Sequence, residues 1–181
     1  MKLRIAGLVE DSIVDGPGLR FVVFTQGCPR SCPGCHNPQT HDPNGGFETT
    51  TERLIEEIES NPLIDGATFS GGEPFMHAKA LAEVARAIKR RGLNLVVYTG
   101  YRWEELITAD NEDWNALLDT VDVVVDGPFI QELRDWKMKF AGSSNQRIID
   151  VQRSLKSNAI VVMKTLDRMP KPIEESSNVR C

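Results

Sequence analysis

The sequence predicts an α/β fold built on a mainly parallel sheet covered by helices. Two observations carry that prediction. Short runs rich in β-branched and aromatic residues alternate along the chain with stretches of helical periodicity, a pattern that implies right-handed crossovers between parallel strands. The residue types able to do chemistry also fall, four times, just after a strand: at Thr25 to Cys35, Ser70 to Glu73, Tyr98 to Gly100 and Asp126 to Pro128. Ligands bind at the carboxyl ends of parallel strands, so these separate segments are expected to converge on one edge.

Leu19 to Thr25 is short, apolar and bounded by Pro17-Gly18 and Gly27, which reads as a mostly buried strand. After a cysteine-rich loop, Thr49 to Glu52 has the form of a capping box, and Leu54, Ile55 and Ile58 share one face of the helix it would start. A second strand around Ala67 to Phe69 runs into Ser70-Gly71-Gly72-Glu73-Pro74. Leu81, Val84, Ala85 and Ile88 recur at helical spacing, Lys89-Arg90-Arg91 suits the carboxyl end of that helix, and Gly92 stops it. Leu95 to Thr99 is a third strand, Trp103 to Asp119 a helical stretch with a break near Asp110-Asn111, and Val121 to Asp126 a fourth strand. Ala159 to Met163 reads as one added strand, and Pro170 to Cys181 as a disordered tail. Residues 1–155 are therefore expected to form one domain and residues 156–181 a partly disordered extension.

A length of 181 residues with 40% hydrophobic content suffices for a single core. Charges interrupt every apolar run before the roughly 20 residues a membrane-spanning helix needs. The start, Met1-Lys2-Leu3-Arg4-Ile5-Ala6, lacks the form of a signal peptide. A cytoplasmic protein is expected. The net charge of -5 and the lack of a basic stripe argue against nucleic-acid binding.

Three of the four cysteines, Cys28, Cys32 and Cys35, crowd into Gly27-Cys28-Pro29-Arg30-Ser31-Cys32-Pro33-Gly34-Cys35-His36-Asn37. Soft thiolates suit an iron–sulfur cluster and zinc alike. Three ligands on a cubane leave one iron without a protein ligand, the open position a catalytic metal keeps. A zinc site completed by His36 or His41 is the alternative, although the usual second Cys-x-x-Cys or histidine half is missing.

The Cys-x-x-x-Cys-x-x-Cys loop after a strand resembles the hallmark of the radical S-adenosylmethionine superfamily. Val14-Asp15-Gly16-Pro17-Gly18-Leu19-Arg20, Cys35-His36-Asn37-Pro38, Phe69 to Pro74 and Gly142-Ser143-Ser144-Asn145-Gln146-Arg147 together resemble the activating proteins of anaerobic ribonucleoside-triphosphate reductases. The resemblance covers residues 5 to 155. It implies a partial, open (β/α) barrel of the radical-SAM type and a [4Fe–4S] cluster on Cys28, Cys32 and Cys35. It also implies cleavage of S-adenosylmethionine to a 5′-deoxyadenosyl radical, and a glycyl radical installed on the reductase's large subunit. A flavodoxin- or ferredoxin-type protein would supply the electron. An activator of another glycyl-radical enzyme, such as pyruvate formate-lyase, a small-molecule radical enzyme, and a non-catalytic zinc module are the alternatives.

On the same resemblance, the Gly71-Gly72-Glu73 segment receives the amino group of S-adenosylmethionine, with Glu73 as an acceptor. Gly34 and His36 lie in the loop beside the cofactor, and His36 flanks the adenine. Tyr98 and Asp126 are placed to touch the ribose or the methionine carboxylate region. Arg147 is a candidate anion contact, Lys89-Arg90-Arg91 most simply a solvated helix end, and Trp103, Trp114 and Trp136 packing residues.

Overall fold

A computed structural model describes residues 1–170. The expected tail, apart from Pro170, lies outside the described residues. The centre of the fold is parallel: β2 (Arg20–Thr25), β4 (Gly66–Gly71), β5 (Asn94–Tyr98) and β6 (Val123–Asp126) pair in that order. Both flanks are antiparallel. β1 (Lys2–Ser12) lies between β2 and β3 (Phe47–Thr50), while β7 (Arg147–Asp150) and β8 (Val162–Met163) follow β6. The order β3-β1-β2-β4-β5-β6-β7-β8 makes one open eight-stranded sheet.

The α/β class and all four strands expected in the parallel centre are present. Three strands went unforeseen, each for a reason visible in its residues. In β1 only Leu3, Ile5 and Ser12 are buried, and register shifts after Ile5 and Val9 break the alternation that marks a strand. β3 (Phe-Glu-Thr-Thr) is a largely polar edge, and β7 is four residues long. Neither carries enough pattern to be read alone.

The helices are α1 (Thr51–Ser60), α2 (Ala78–Arg90), α3 (Trp103–Thr108), α4 (Glu112–Leu118) and α5 (Val151–Ser157). The cap of α1 is Thr50, one residue later than expected, and it accepts from Arg53 N at 3.3 Å. Glu52 instead pairs with the Met1 ammonium at 2.8 Å. The break between α3 and α4 falls where expected, because Asn111 caps α4 by accepting from Asp113 N and Trp114 N. Gly92 ends α2 at φ 72°. Lys89 is held by Asp122 at 2.7 Å, and Arg91 donates to the carbonyls of Ile58 and Asn61. The boundary drawn between residues 155 and 156 falls inside α5, and Leu166 beyond it is fully buried.

The two faces of the sheet differ. Phe21, Val23, Phe69, Leu95 and Val97 pack against Leu54, Ile58, Leu81, Val84 and Ile88 of α1 and α2, forming the main core. Val96, Val123, Val125, Ile148 and Leu166 make a smaller cluster on the opposite face, joined by Tyr98, Phe140 and Met163 and by no helical residue. A parallel strand is usually covered on both faces. Here loops do part of that covering, which leaves room for cavities. No helix among the described residues is long and apolar enough to cross a membrane.

Candidate active site

The cysteine loop leaves the end of β2 and is fastened at its base. Gly27 N donates to Thr40 O at 2.8 Å, Cys28 N to His41 O at 3.1 Å, and the Gln26 side chain to the carbonyls of Gln39 and Asp42. Within it, Cys35 N donates to Cys32 O at 3.1 Å, a tight turn that Gly34 permits at φ 70°. Ser31 adopts φ 42°, a left-handed conformation rare for a residue with a side chain. Asn37 N lies 3.4 Å from Cys35 Sγ as a donor. Burial pushes the Cys28 thiol up from its ordinary value, while the backbone N–H groups of Arg30 and Ser31 pull it down.

β4 delivers its glycines against this loop. Gly72 N donates to Thr25 O and Glu73 N to Gly27 O, both at 2.8 Å, so the β2–β4 ladder continues to the edge of the cysteines. A Cβ on Gly72 would lie 2.2 Å from Gly27 O, and one on Gly71 2.6 Å from Thr25 N. The close approach these glycines allow is therefore first of all to the protein's own chain.

Cys28, Cys32 and Cys35 line one cavity of about 120 Å³ with Gly71, Gly72 and Tyr98. A second cavity of about 420 Å³ shares Cys35, Ser70, Tyr98, Phe129 and Gln146 with the first, and is bounded by the β1–β2 loop at Val14 and Asp15. Six of the ten expected site residues thus meet at the carboxyl ends of β2, β4 and β5. Burial, together with Asp15, holds the Tyr98 phenol well above its ordinary range, so it is a neutral hydroxyl.

The remaining four are placed differently. Glu73 is fully buried behind the cavity wall. Its carboxylate accepts from Phe75 N (3.1 Å), Thr99 Oγ1 (2.8 Å) and Gly100 N (2.8 Å), fixing the β5–α3 turn against the start of α2. Desolvation raises its pKa to about 7. Asp126 is also buried, and accepts from Trp103 N at 2.7 Å and from Arg147 at 3.0 and 2.5 Å. Arg147 is correspondingly committed to Asp126 and Glu104 and has no edge turned to an outside anion. His36 lines the second cavity, its ring 5.2 Å from Phe129 and its Nε2 2.8 Å from Arg134 Nη2. Gly34 faces outward, with Gln131 over it. Trp136, expected as packing, is 80% exposed and stacks under Arg134 at 4.0 Å.

Three cavity residues were not individual site candidates from the sequence: Arg30, Phe129 and Gln146. Arg30 carried a signal, proximity to the cysteines, and His41, named only as a possible zinc ligand, also lines the cavity. Phe129 follows Gly127-Pro128 after β6 and was within reach of the strand-end argument.

The fold and site define an α/β protein that presents three soft thiols in a cavity at the carboxyl ends of parallel strands, a donor set suited to an iron–sulfur cofactor. Residues 14–149 match the family described as a 4Fe-4S single cluster domain. The anaerobic ribonucleoside-triphosphate reductase-activating protein of Escherichia coli (strain K12) is 35% identical over 145 residues, covering 74% of this chain and 90% of that protein. The pyruvate formate-lyase 1-activating enzyme of the same organism is 32% identical over 168 residues, covering 88% of this chain and 65% of that one. The solved structure of QueE from Escherichia coli overlaps 55% of this chain and 53% of its own, at a TM-score of 0.44 and 17% identity. The chain belongs to the family of anaerobic ribonucleoside-triphosphate reductase-activating proteins, and is thereby an iron–sulfur enzyme of the activating type.

Proposed function

We propose that this enzyme holds a [4Fe–4S] cluster through Cys28, Cys32 and Cys35, binds S-adenosylmethionine on it, and installs a glycyl radical on the large subunit of an anaerobic ribonucleoside-triphosphate reductase. The observation that carries this reading is the cavity lined by the three thiols and by Gly71 and Gly72, five of whose residues also line a second, larger cavity. The donor set fits the group. No three His, Cys, Asp or Glu side chains among the described residues gather as one ion would require, whereas a cubane takes each thiolate on a different iron.

When bound, the two cofactors together supply a one-electron cleavage that yields methionine and a 5′-deoxyadenosyl radical. The chain's own residues bind and orient. The bonds from Gly27 and Cys28 to Thr40 and His41 fix the loop, and Gly71 and Gly72 form the cavity wall that would receive the methionine amino group. Glu73 acts from behind that wall by holding Thr99 and Gly100 in place. His36 and Phe129 offer aromatic surface for the adenine. The second cavity, bounded by Val14, Asp15 and Phe140, admits the partner's glycine-bearing segment. A flavodoxin- or ferredoxin-type donor supplies the electron. Residues 1–155 hold the cofactor-binding residues, and the extension that begins at 156 adds the end of α5, β8 and the buried Leu166 to the same fold.

The test is anaerobic purification with assay of iron, acid-labile sulfide and 5′-deoxyadenosine, followed by electron paramagnetic resonance of the reductase large subunit. About four irons per chain, S-adenosylmethionine cleavage and a glycyl signal, all lost in Cys32→Ala, are expected. A zinc-loaded protein that yields no 5′-deoxyadenosine after cluster reconstitution would overturn the proposal. A glycyl signal on pyruvate formate-lyase alone would reassign the partner.

A further inference from the structure

Arg30 stands midway between Cys28 and Cys32 in the loop. Among the described residues it is the only lysine or arginine lining the thiol cavity. Its guanidinium lies 4.7 Å above the centre of the Tyr101 ring, and its Nη2 donates to both Glu105 oxygens at 2.9 Å. Its Nε is buried with no acceptor. The neighbouring carboxylate of Glu73 makes no hydrogen bond to it: Oε1 accepts from Phe75 N and Thr99 Oγ1 and Oε2 from Gly100 N, and the two groups act on each other only through their charge. Gly100 makes room for the side chain: a Cβ there would meet Arg30 Cδ at 2.5 Å. A cation is thus delivered to the cavity wall with one exposed carboxylate as its hydrogen-bonded counter-ion and a buried N–H left over, an arrangement that is costly unless an anion completes it.

We propose that Arg30 is the counter-charge for an anion held in this cavity, either the thiolate-bound cluster or the carboxylate of the amino acid group seated on it. The inference rests on the function proposed above. A cluster on three thiolates gains negative charge when it is reduced, and a fixed cation in a poorly solvated wall favours that state. Glu105 opposes the effect by neutralising part of the same charge.

The test uses the full-length protein with its cluster reconstituted, as wild type, Arg30→Met, Arg30→Lys and Glu105→Gln. One-electron midpoint potentials are measured by spectroelectrochemical titration without S-adenosylmethionine, and its affinity by calorimetry. If the cluster is the anion, Arg30→Met weakens the reduction equilibrium about tenfold, a shift of about 59 mV to more negative potential. Arg30→Lys recovers most of that shift, because it keeps the charge. Glu105→Gln shifts the potential in the opposite direction, a sign that general damage to the loop does not produce. If the carboxylate is the anion, the potentials stay together while Arg30→Met weakens S-adenosylmethionine binding about tenfold. Equal potentials and equal affinities in all four proteins overturn the inference. A wild-type protein that takes up no cluster overturns instead the function on which it rests.

Discussion

Arg20 opens β2 and Arg30 lies in the cysteine loop that follows it, and the same side chain is used in opposite ways. Arg20 is completely buried, and every nitrogen has an acceptor: Thr68 Oγ1 at 2.6 Å, Asn94 Oδ1 at 2.7 Å, Pro17 O at 3.0 Å and Ala67 O. Burial lowers its pKa to about 10. It joins the β1–β2 loop to the amino ends of β4 and β5, and nothing is left for a ligand. Arg30 spends one nitrogen on Glu105 and keeps a buried donor without a partner. A fold-building arginine is satisfied by its own chain. One that serves a site carries unsatisfied valence, at a cost in stability that the rest of the sheet has to offset.

Removing each arginine breaks the comparison most directly. Arg20→Met leaves the carbonyls of Pro17 and Ala67 and the Asn94 side chain without their donor, and is expected to cost roughly 3–5 kcal/mol in urea unfolding of the cluster-free protein. A cost under about 1 kcal/mol would mean that water replaces the guanidinium.

The buried carboxylate at the site edge sharpens the contrast. The folded pKa of Glu73, about 7, lies above the ordinary 4.5, so the native state holds the extra proton between those values. Its contribution to stability is greatest at or below about pH 4.5 and is lost as pH rises through about 7, a difference of roughly 3 kcal/mol. Unfolding free energies from pH 5 to 8 should show this fall in wild type and lack it in Glu73→Gln. An unchanged slope in that variant would assign the titration to another group.

Gly72→Ala drives a Cβ against Gly27 O. The expected loss is about 1–3 kcal/mol, with weaker retention of iron, because the strain falls where β4 meets the cysteine loop. Iron content read beside unfolding separates the two effects. The smallest change belongs to Arg30→Met, whose side chain is partly exposed and paired with an exposed carboxylate. It should alter global stability by less than about 1 kcal/mol, and a larger loss would make Arg30 a second Arg20.

Several features were legible in the chain itself. The parallel strands announced themselves because strands buried on both faces are continuous apolar runs, as in Phe21-Val22-Val23-Phe24 and Val123-Val124-Val125. The cysteine spacing, the paired glycines and their place after strands are properties of order along the chain, so the meeting of the three thiols, Gly71, Gly72 and Tyr98 at one cavity could be expected. The flanking strands β1, β3 and β7 could not, since each gains its strand character from a neighbour's backbone and carries little pattern of its own.

Side-chain direction was decided only by tertiary structure. Glu73 and Asp126 are acidic, follow strands and border the site, yet both turn inward because unpaired backbone N–H groups at Phe75, Gly100 and Trp103 need acceptors there. Arg30 reads in sequence as a spacer between two cysteines, and it became a wall of the cavity because Gly100 and Tyr101, seventy residues away, make room for it and support it. Sequence order fixes which groups reach the edge of the sheet. Which of them faces the ligand depends on where buried hydrogen-bonding groups elsewhere in the fold must be satisfied.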